Sequence, residues 1–168
     1  MKILFILLFV PLYSLCQTVH VKDDRIFYEG KEKIEGITSS EIMSRLQQAI
    51  QTAETNYKKA ETTDGMLKAE GQFRLKTAHQ LIRTVTYLLT IKPTNDGYEY
   101  TVDSVSMTEK KRGISTTKKP SKEILERMED YGKEAENTER ILNEIDLRIQ
   151  HMLVLLRKTA AGDNTVSL

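Results

Sequence analysis

Residues 64–75 read DGMLKAEGQFRL, and this stretch decides the fold class. Asp64-Gly65 is a hairpin dipeptide, because its left-handed backbone suits a tight two-residue turn. From Met66 onward, Leu67, Ala69, Gly71, Phe73 and Leu75 fall on one side, and Lys68, Glu70, Gln72 and Arg74 on the other. That is the period of a strand with one buried face. The pattern returns twice. Between Arg83 and Lys92, Val85, Tyr87, Leu89 and Ile91 oppose Thr84, Thr86 and Thr90. Asn95-Asp96-Gly97 turns the chain back, and from Tyr98 to Met107 the expected inner face is Tyr98, Tyr100 and Val102. Strands wet on one side only belong to an antiparallel sheet. A meander of three or four strands is expected.

Upstream of the meander, Arg25 to Glu35 reads as one or two strand pieces around Gly30. Thr38 then offers a helix cap, Glu41 stands where it reaches back to the Thr38 amide, and Ile37 and Ile42 form a hydrophobic staple. The helix that follows should bury Ile42, Leu46, Ala49, Ile50, Ala53 and Tyr57, with Ser44, Gln47, Gln48, Gln51 and Glu54 facing water. Downstream, Glu109 to Pro120 lacks periodicity and carries Lys110, Lys111, Arg112, Lys118 and Lys119, which reads as an exposed basic loop. Pro120 and Ser121, the expected N-cap, open a long helical stretch. Ile124, Met128, Tyr131, Ala135, Ile141, Ile145, Ile149, Met152 and Leu156 form its inner stripe, as one helix or two. One domain is expected: residues 17–107 as the sheet core, 108–120 as the basic loop, 121–158 as its C-terminal helical segment and 159–168 as a flexible tail.

The first sixteen residues, MKILFILLFVPLYSLC, have the pattern of a signal peptide: Lys2, an apolar run from Ile3 to Val10, Pro11, and small Ser14 and Cys16 before Gln17. The apolar run is shorter than the roughly 20 residues a bilayer demands. Export is the expectation, to the periplasm or medium, with cleavage between Cys16 and Gln17. The alternative is a lipoprotein anchored at Cys16, against which Leu15 is a poor fit. Cys16 is the chain's single cysteine, so cleavage after it removes every disulfide, thiol and cysteine metal site. No transmembrane segment is expected in the mature chain. Lysine and arginine number 25 against 24 aspartates and glutamates, and loss of Lys2 makes the balance even. A nucleic-acid partner is not expected, because phosphate binding calls for a marked basic excess.

The chain shows little chemistry. His20, His79 and His151 form no pair at ligand spacing, and no His-Glu-x-x-His run occurs. No Gly-x-Ser-x-Gly elbow is present, and Ser39-Ser40 is explained by helix capping. The carboxylate pairs Asp23-Asp24 and Glu129-Asp130 are placed for solvation, and the glycines form no phosphate loop. No catalytic residue, metal ligand or cofactor is nominated. Two surfaces stand out as contacts for a ligand or partner. Tyr87, Tyr98 and Tyr100 lie on neighbouring strands, where they form a core patch or line a pocket. Lys110, Lys111 and Arg112 mark the basic loop, facing an acidic partner or anionic surface.

The lead-in Ile34-Glu35-Gly36-Ile37-Thr38-Ser39, the helix ending at Asn56-Tyr57, and the hairpin Tyr87-Leu88-Leu89-Thr90-Ile91-Lys92…Asp96-Gly97-Tyr98-Glu99-Tyr100 carry a resemblance. Over Arg25 to Met107, and loosely over the last helix, the chain resembles exported bacterial cell-envelope domains of unknown function with a TATA-binding-protein-like fold. It departs from them in its longer basic loop and extended last helix. The resemblance implies an α+β domain: a curved antiparallel sheet of four to five strands, a helix after the first strand, and a long C-terminal helix on one face. It brings no activity, and the DNA binding in the fold's name does not transfer, since function resides in a site. The expected role is a non-catalytic module binding an envelope protein or surface component. The alternative is a carrier gripping a small apolar ligand: a large pocket lined by Tyr87, Leu89, Tyr98 and Tyr100 favours the carrier, and a filled core favours the binding module.

Overall fold

The computed structural model describes residues 20–52, 57–75, 81–111, 117–126 and 133–163. The alternating stretches become three consecutive strands: β5 (Met66–Leu75), β6 (Leu81–Thr94) and β7 (Gly97–Lys111). Before them stand a small hairpin of β1 (Val21–Lys22) and β2 (Arg25–Ile26), then β3 (Tyr28–Lys33), helix α1 (Ser39–Thr52) and β4 (Tyr57–Thr63). After them come β8 (Thr117–Pro120), α2 (Ser121–Glu126) and α3 (Lys133–Ala161). The main sheet has six antiparallel strands in the order β3-β7-β6-β5-β4, with β8 also on β7. The α+β class stands, and the expected count of four to five strands is corrected to six plus a separate two-stranded hairpin.

One face of the sheet is covered by α1 and α3. From the sheet come Tyr28, Leu67, Ala69, Val85, Tyr87, Leu89, Ile91, Tyr98 and Val102; from the helices come Ile42, Leu46, Ile50, Ile145, Ile149 and Leu156, all buried. A fully buried aliphatic side chain contributes about 2 kcal/mol, whereas an exposed ion pair contributes at most about 1 kcal/mol. The apolar layer therefore holds the helices on. Polar contacts set their register. The Tyr28 hydroxyl donates to buried Asp146 at 3.0 Å, linking β3 to α3. Arg45 of α1 donates to the Ala160 carbonyl at 3.2 Å, so one helix caps the other's end. Gly162, at φ 86°, closes α3 with its amide bonded to the Thr159 carbonyl. The expected tail thus begins later than residue 159, because the helix runs on to Ala161.

Several local expectations meet corrections. Thr38 does cap α1, accepting the Glu41 amide at 3.3 Å. Glu41 does not turn back to complete a capping box: its carboxylate takes a 2.6 Å charge-assisted bond from Arg45, one turn on. Tyr57 is buried as expected but begins β4 and not the end of α1, and Ala53 lies outside the described residues. β4 has Tyr57 and Ala60 as its only apolar residues, so it lacks a strand's sequence pattern and is held as an edge strand through the Asp64-Gly65 hairpin. The basic loop is the largest correction. Residues 108–111 continue β7, and Thr117–Pro120 pair back against Ser106–Glu109, leaving Arg112 outside the described residues.

β7 carries a bulge. Thr86 pairs with Ser106 and Leu88 with Asp103, so Ser104 and Val105 together face Tyr87. Ser104 adopts φ 53°. The extra residue flips the buried parity: Tyr98 and Val102 are buried before it, Val105 and Met107 after it. Two tyrosines lie over cross-strand glycines. Tyr100 pairs with Gly30 and Tyr87 with Gly71, and a Cβ on either glycine would overlap the phenol ring. Gly71→Ala should therefore cost about 2 kcal/mol of overpacking in urea unfolding. In a Tyr87→Leu background, where the ring is gone, the same change should cost much less.

Candidate functional site

The three tyrosines do not form one cluster. Tyr98 and Tyr100 are neighbours, with ring centroids 6.4 Å apart. Tyr87 instead sits beside Phe73 at 6.0 Å and under Tyr57, toward the β4 edge. Tyr98 and Leu89 are fully buried in a packed core, Tyr87 nearly so, and Tyr100 is half-buried. No large pocket is lined by Tyr87, Leu89, Tyr98 and Tyr100 together among the described residues. Packed side chains fill this part of the core, which favours the binding module over the carrier alternative. Burial raises the proton affinity of all three phenols, so they stay neutral.

The basic segment divides by face. Arg83, Glu109 and Lys119 fall on the helix-facing side, since Arg83 pairs with Glu109 and Lys119 with Met107. Glu109 accepts from Arg83 at 2.7 Å and from Lys119 at 2.5 Å, and the three side chains are 19%, 13% and 8% exposed respectively. Lys119, expected on an exposed loop, is therefore a buried ion-pair partner. Burial works against the Glu109 carboxylate, but the hydrogen bonds and charges of Lys119 and Arg83 outweigh it and hold its pKa below the ordinary value. Lys110 stays exposed on the opposite face, and nothing is described of the Lys111 side chain.

What the loop expectation missed is the groove beside it. On its outer edge β7 pairs with β3 up to Val102 and with β8 from Ser106. Asp103, Ser104 and Val105, at the bulge, lie between the two ladders. Over this gap opens a cleft of about 860 Å³, with Ile26, Phe27 and Val105 among its apolar lining. Lys22, Arg25, Lys118 and Lys122 line it against only two carboxylates, Asp23 and Asp103. Lys22 pairs with Glu29 at 3.3 Å, and Lys122 approaches Asp24 at 3.9 Å. These are exposed pairs of little strength, so the groove presents a net positive lip. Asp23 and Asp24, expected to be a solvated lead-in, form the β1–β2 turn with φ 52° and 55°. The nearest sequence signal was Lys118 beside Pro120, and the fold alone brings Lys22 and Arg25 across to it.

The open face of the sheet is less suited to binding. Thr84, Thr86, Thr90 and Thr101 are half-buried there, Thr86 and Ser106 share a 2.8 Å hydroxyl bond, and Leu88 is the large apolar side chain at its centre. Among the described residues no three histidine, cysteine or carboxylate side chains converge as a metal site. No described helix is long and apolar enough to cross a membrane.

Glu109→Gln should destabilise the fold by about 2 kcal/mol, because Arg83 and Lys119 are left half-buried without a counter-charge. Lys110→Gln, on the exposed face, should stay within about 0.5 kcal/mol. The contribution of Glu109 is complete above the unfolded carboxylate pKa and disappears as pH falls through the depressed folded one. Urea unfolding between neutral pH and pH 3 should show a loss of stability in acid that Glu109→Gln partly removes.

No protein-family model matches the sequence, and no curated protein does. Solved structures do. A TBP-like protein from Parabacteroides distasonis superposes with a TM-score of 0.68 at 10% identity, over 84% of this chain and 96% of that one. A DUF4468 family protein from Bacteroides ovatus gives 0.66 at 12% identity, over 86% and 90%. Neither is described as an enzyme. At such identities the likeness is one of fold, and the fold of this chain is TATA-binding-protein-like.

Proposed function

We propose that this chain is an exported, non-catalytic binding module that holds an acidic segment of an envelope protein or surface component in the groove beside the β7 bulge. The observation that carries the reading is the groove itself: about 860 Å³ of space at a break in strand pairing, with four cations against two carboxylates along its lining. Its apolar floor of Ile26 and Val105 gives contact area, and its basic lip gives selection by charge. Lys110 extends the positive surface along the β7–β8 arm. Two fold neighbours of unknown role, neither described as an enzyme, are consistent with a module of this kind. Export rests on the leader pattern of residues 1–16.

The test is photo-crosslinking in the native cell envelope. Phe27 is half-buried in the groove and tolerates p-benzoylphenylalanine as a conservative change; Leu88 on the open face is the control. A defined adduct from position 27, absent from position 88 and lost in Lys118→Glu/Lys122→Glu, is the expected result. An adduct from position 88 alone, or one at 27 indifferent to the charge reversals, would overturn the assignment. Intact mass of the recovered protein should correspond to a chain beginning at Gln17. A retained leader contradicts processing, and a lipid-bearing Cys16 contradicts simple cleavage.

A further inference from the structure

At the other end of the sheet a second, smaller cleft of about 100 Å³ opens between α3 and the strands β4, β5 and β6. Tyr57, Phe73 and Tyr87 line its sheet side, and Arg148, His151 and Met152 line it from α3. The Tyr57 side chain is nearly fully buried, and its hydroxyl makes no hydrogen bond of acceptable geometry although the Tyr87 phenol lies beside it. A buried hydroxyl left unpaired costs about 1–3 kcal/mol, and native structures rarely leave one so without a reason. Burial, only partly offset by Tyr87, pushes this phenol up to about 12, so it keeps its proton and remains a donor. Arg148, also on the lining, is exposed where Tyr57 is buried, and no ion-pair partner for it occurs among the described residues. Phe73 and Met152, both half-buried, are apolar on the lining, which Gln72, His151 and Leu155 complete.

We propose that this cleft binds a small carboxylate with an apolar body and a hydrogen-bonding group at its far end, Tyr57 meeting the far group and Arg148 the carboxylate. At about 100 Å³ the cleft is smaller than the roughly 150 Å³ that encloses a benzene ring, so it takes part of one ring or a short chain, with the rest of the ligand outside it. A buried donor, half-buried apolar side chains and an exposed cation on one lining set the groups such a ligand must carry. The cleft and the groove at β7 share no lining residue, although Tyr87 of the one faces Ser104 and Val105 of the other across the β6–β7 ladder.

The experiment is an NMR titration of the full mature chain, read at the Met152 methyl, with 4-hydroxybenzoate, benzoate and methyl 4-hydroxybenzoate. The expected result is saturable binding of 4-hydroxybenzoate about tenfold tighter than of either analogue. Tyr57→Phe should erase the preference over benzoate, and Arg148→Gln the preference over the ester. The groove variant Lys118→Glu/Lys122→Glu should titrate as wild type, which separates failure of this site from failure of the groove. Tyr57→Phe should also melt no lower than wild type, since it removes an unpaired hydroxyl and keeps the ring. A silent Met152 methyl with all three probes would overturn the proposal. So would preferences that survive both substitutions, or a lowered melting point for Tyr57→Phe, which would mean that the hydroxyl is already satisfied inside the apo protein.

Discussion

β7 runs for fifteen residues with its helix-facing side buried at both ends, and alternation alone cannot put Val102 and Val105 on the same face. β7 makes the adjustment at Ser104 and Val105, which together face Tyr87. Everything at that end of the molecule depends on the extra residue. It moves Val105 and Met107 onto the helix-facing side, ends the β3 ladder and allows β8 to begin its own. It also turns Glu109 inward to meet Arg83 and Lys119. Without the bulge the odd-numbered residues of β7 after it would face water, and Glu109 would point away from Arg83, which stays on the helix-facing side of β6 with Val85.

The two faces of the sheet divide the labour. The helix side is filled, with the large side chains of α1 and α3 inserted between those of β5, β6 and β7, and its polar links (Tyr28 to Asp146, Arg45 to Ala160) join elements far apart in sequence. The interior is packed, and the two clefts among the described residues open at its margins, where strand pairing changes and where α3 lies over β4 and β5. A protein that binds at its margins can keep a rigid centre, and rigidity of the lining lowers the ordering cost of binding.

The sequence was legible where packing is periodic and illegible where charge replaces hydrophobicity. β5 could be placed from Met66 to Leu75 because alternation and an Asp-Gly turn agree. The Tyr98-to-Met107 strand was readable only to Val102, since the bulge reverses parity after it and Asp103-Ser104 has no apolar signal of its own. β8 was invisible for a physical reason: its inward residue is Lys119, and an inward lysine reads as solvated until its partner Glu109, on another strand, is known. The contact residues Tyr87, Tyr98 and Tyr100 all face the core, Tyr100 half-buried, as their alternation implies, but their partition between two neighbourhoods depends on cross-strand register. The groove draws on Lys22 and Lys122, a hundred residues apart, which no local pattern connects.

The tie between Tyr28 and Asp146 spans 118 positions. The strand carrying Tyr28 finds its ladder partner only at Gly97 and beyond. A chain that emerges from its amino end leaves the β3 edge unpaired until β7 exists and the Tyr28 hydroxyl unanswered until α3 does. The adjacent hairpins from β4 to β7 close short loops and can assemble early, while β3 requires closure of a very long one. Synthesis order and assembly order therefore run in opposite senses here: the segment made first is the last to find its place, and the domain completes itself only once the whole chain is free.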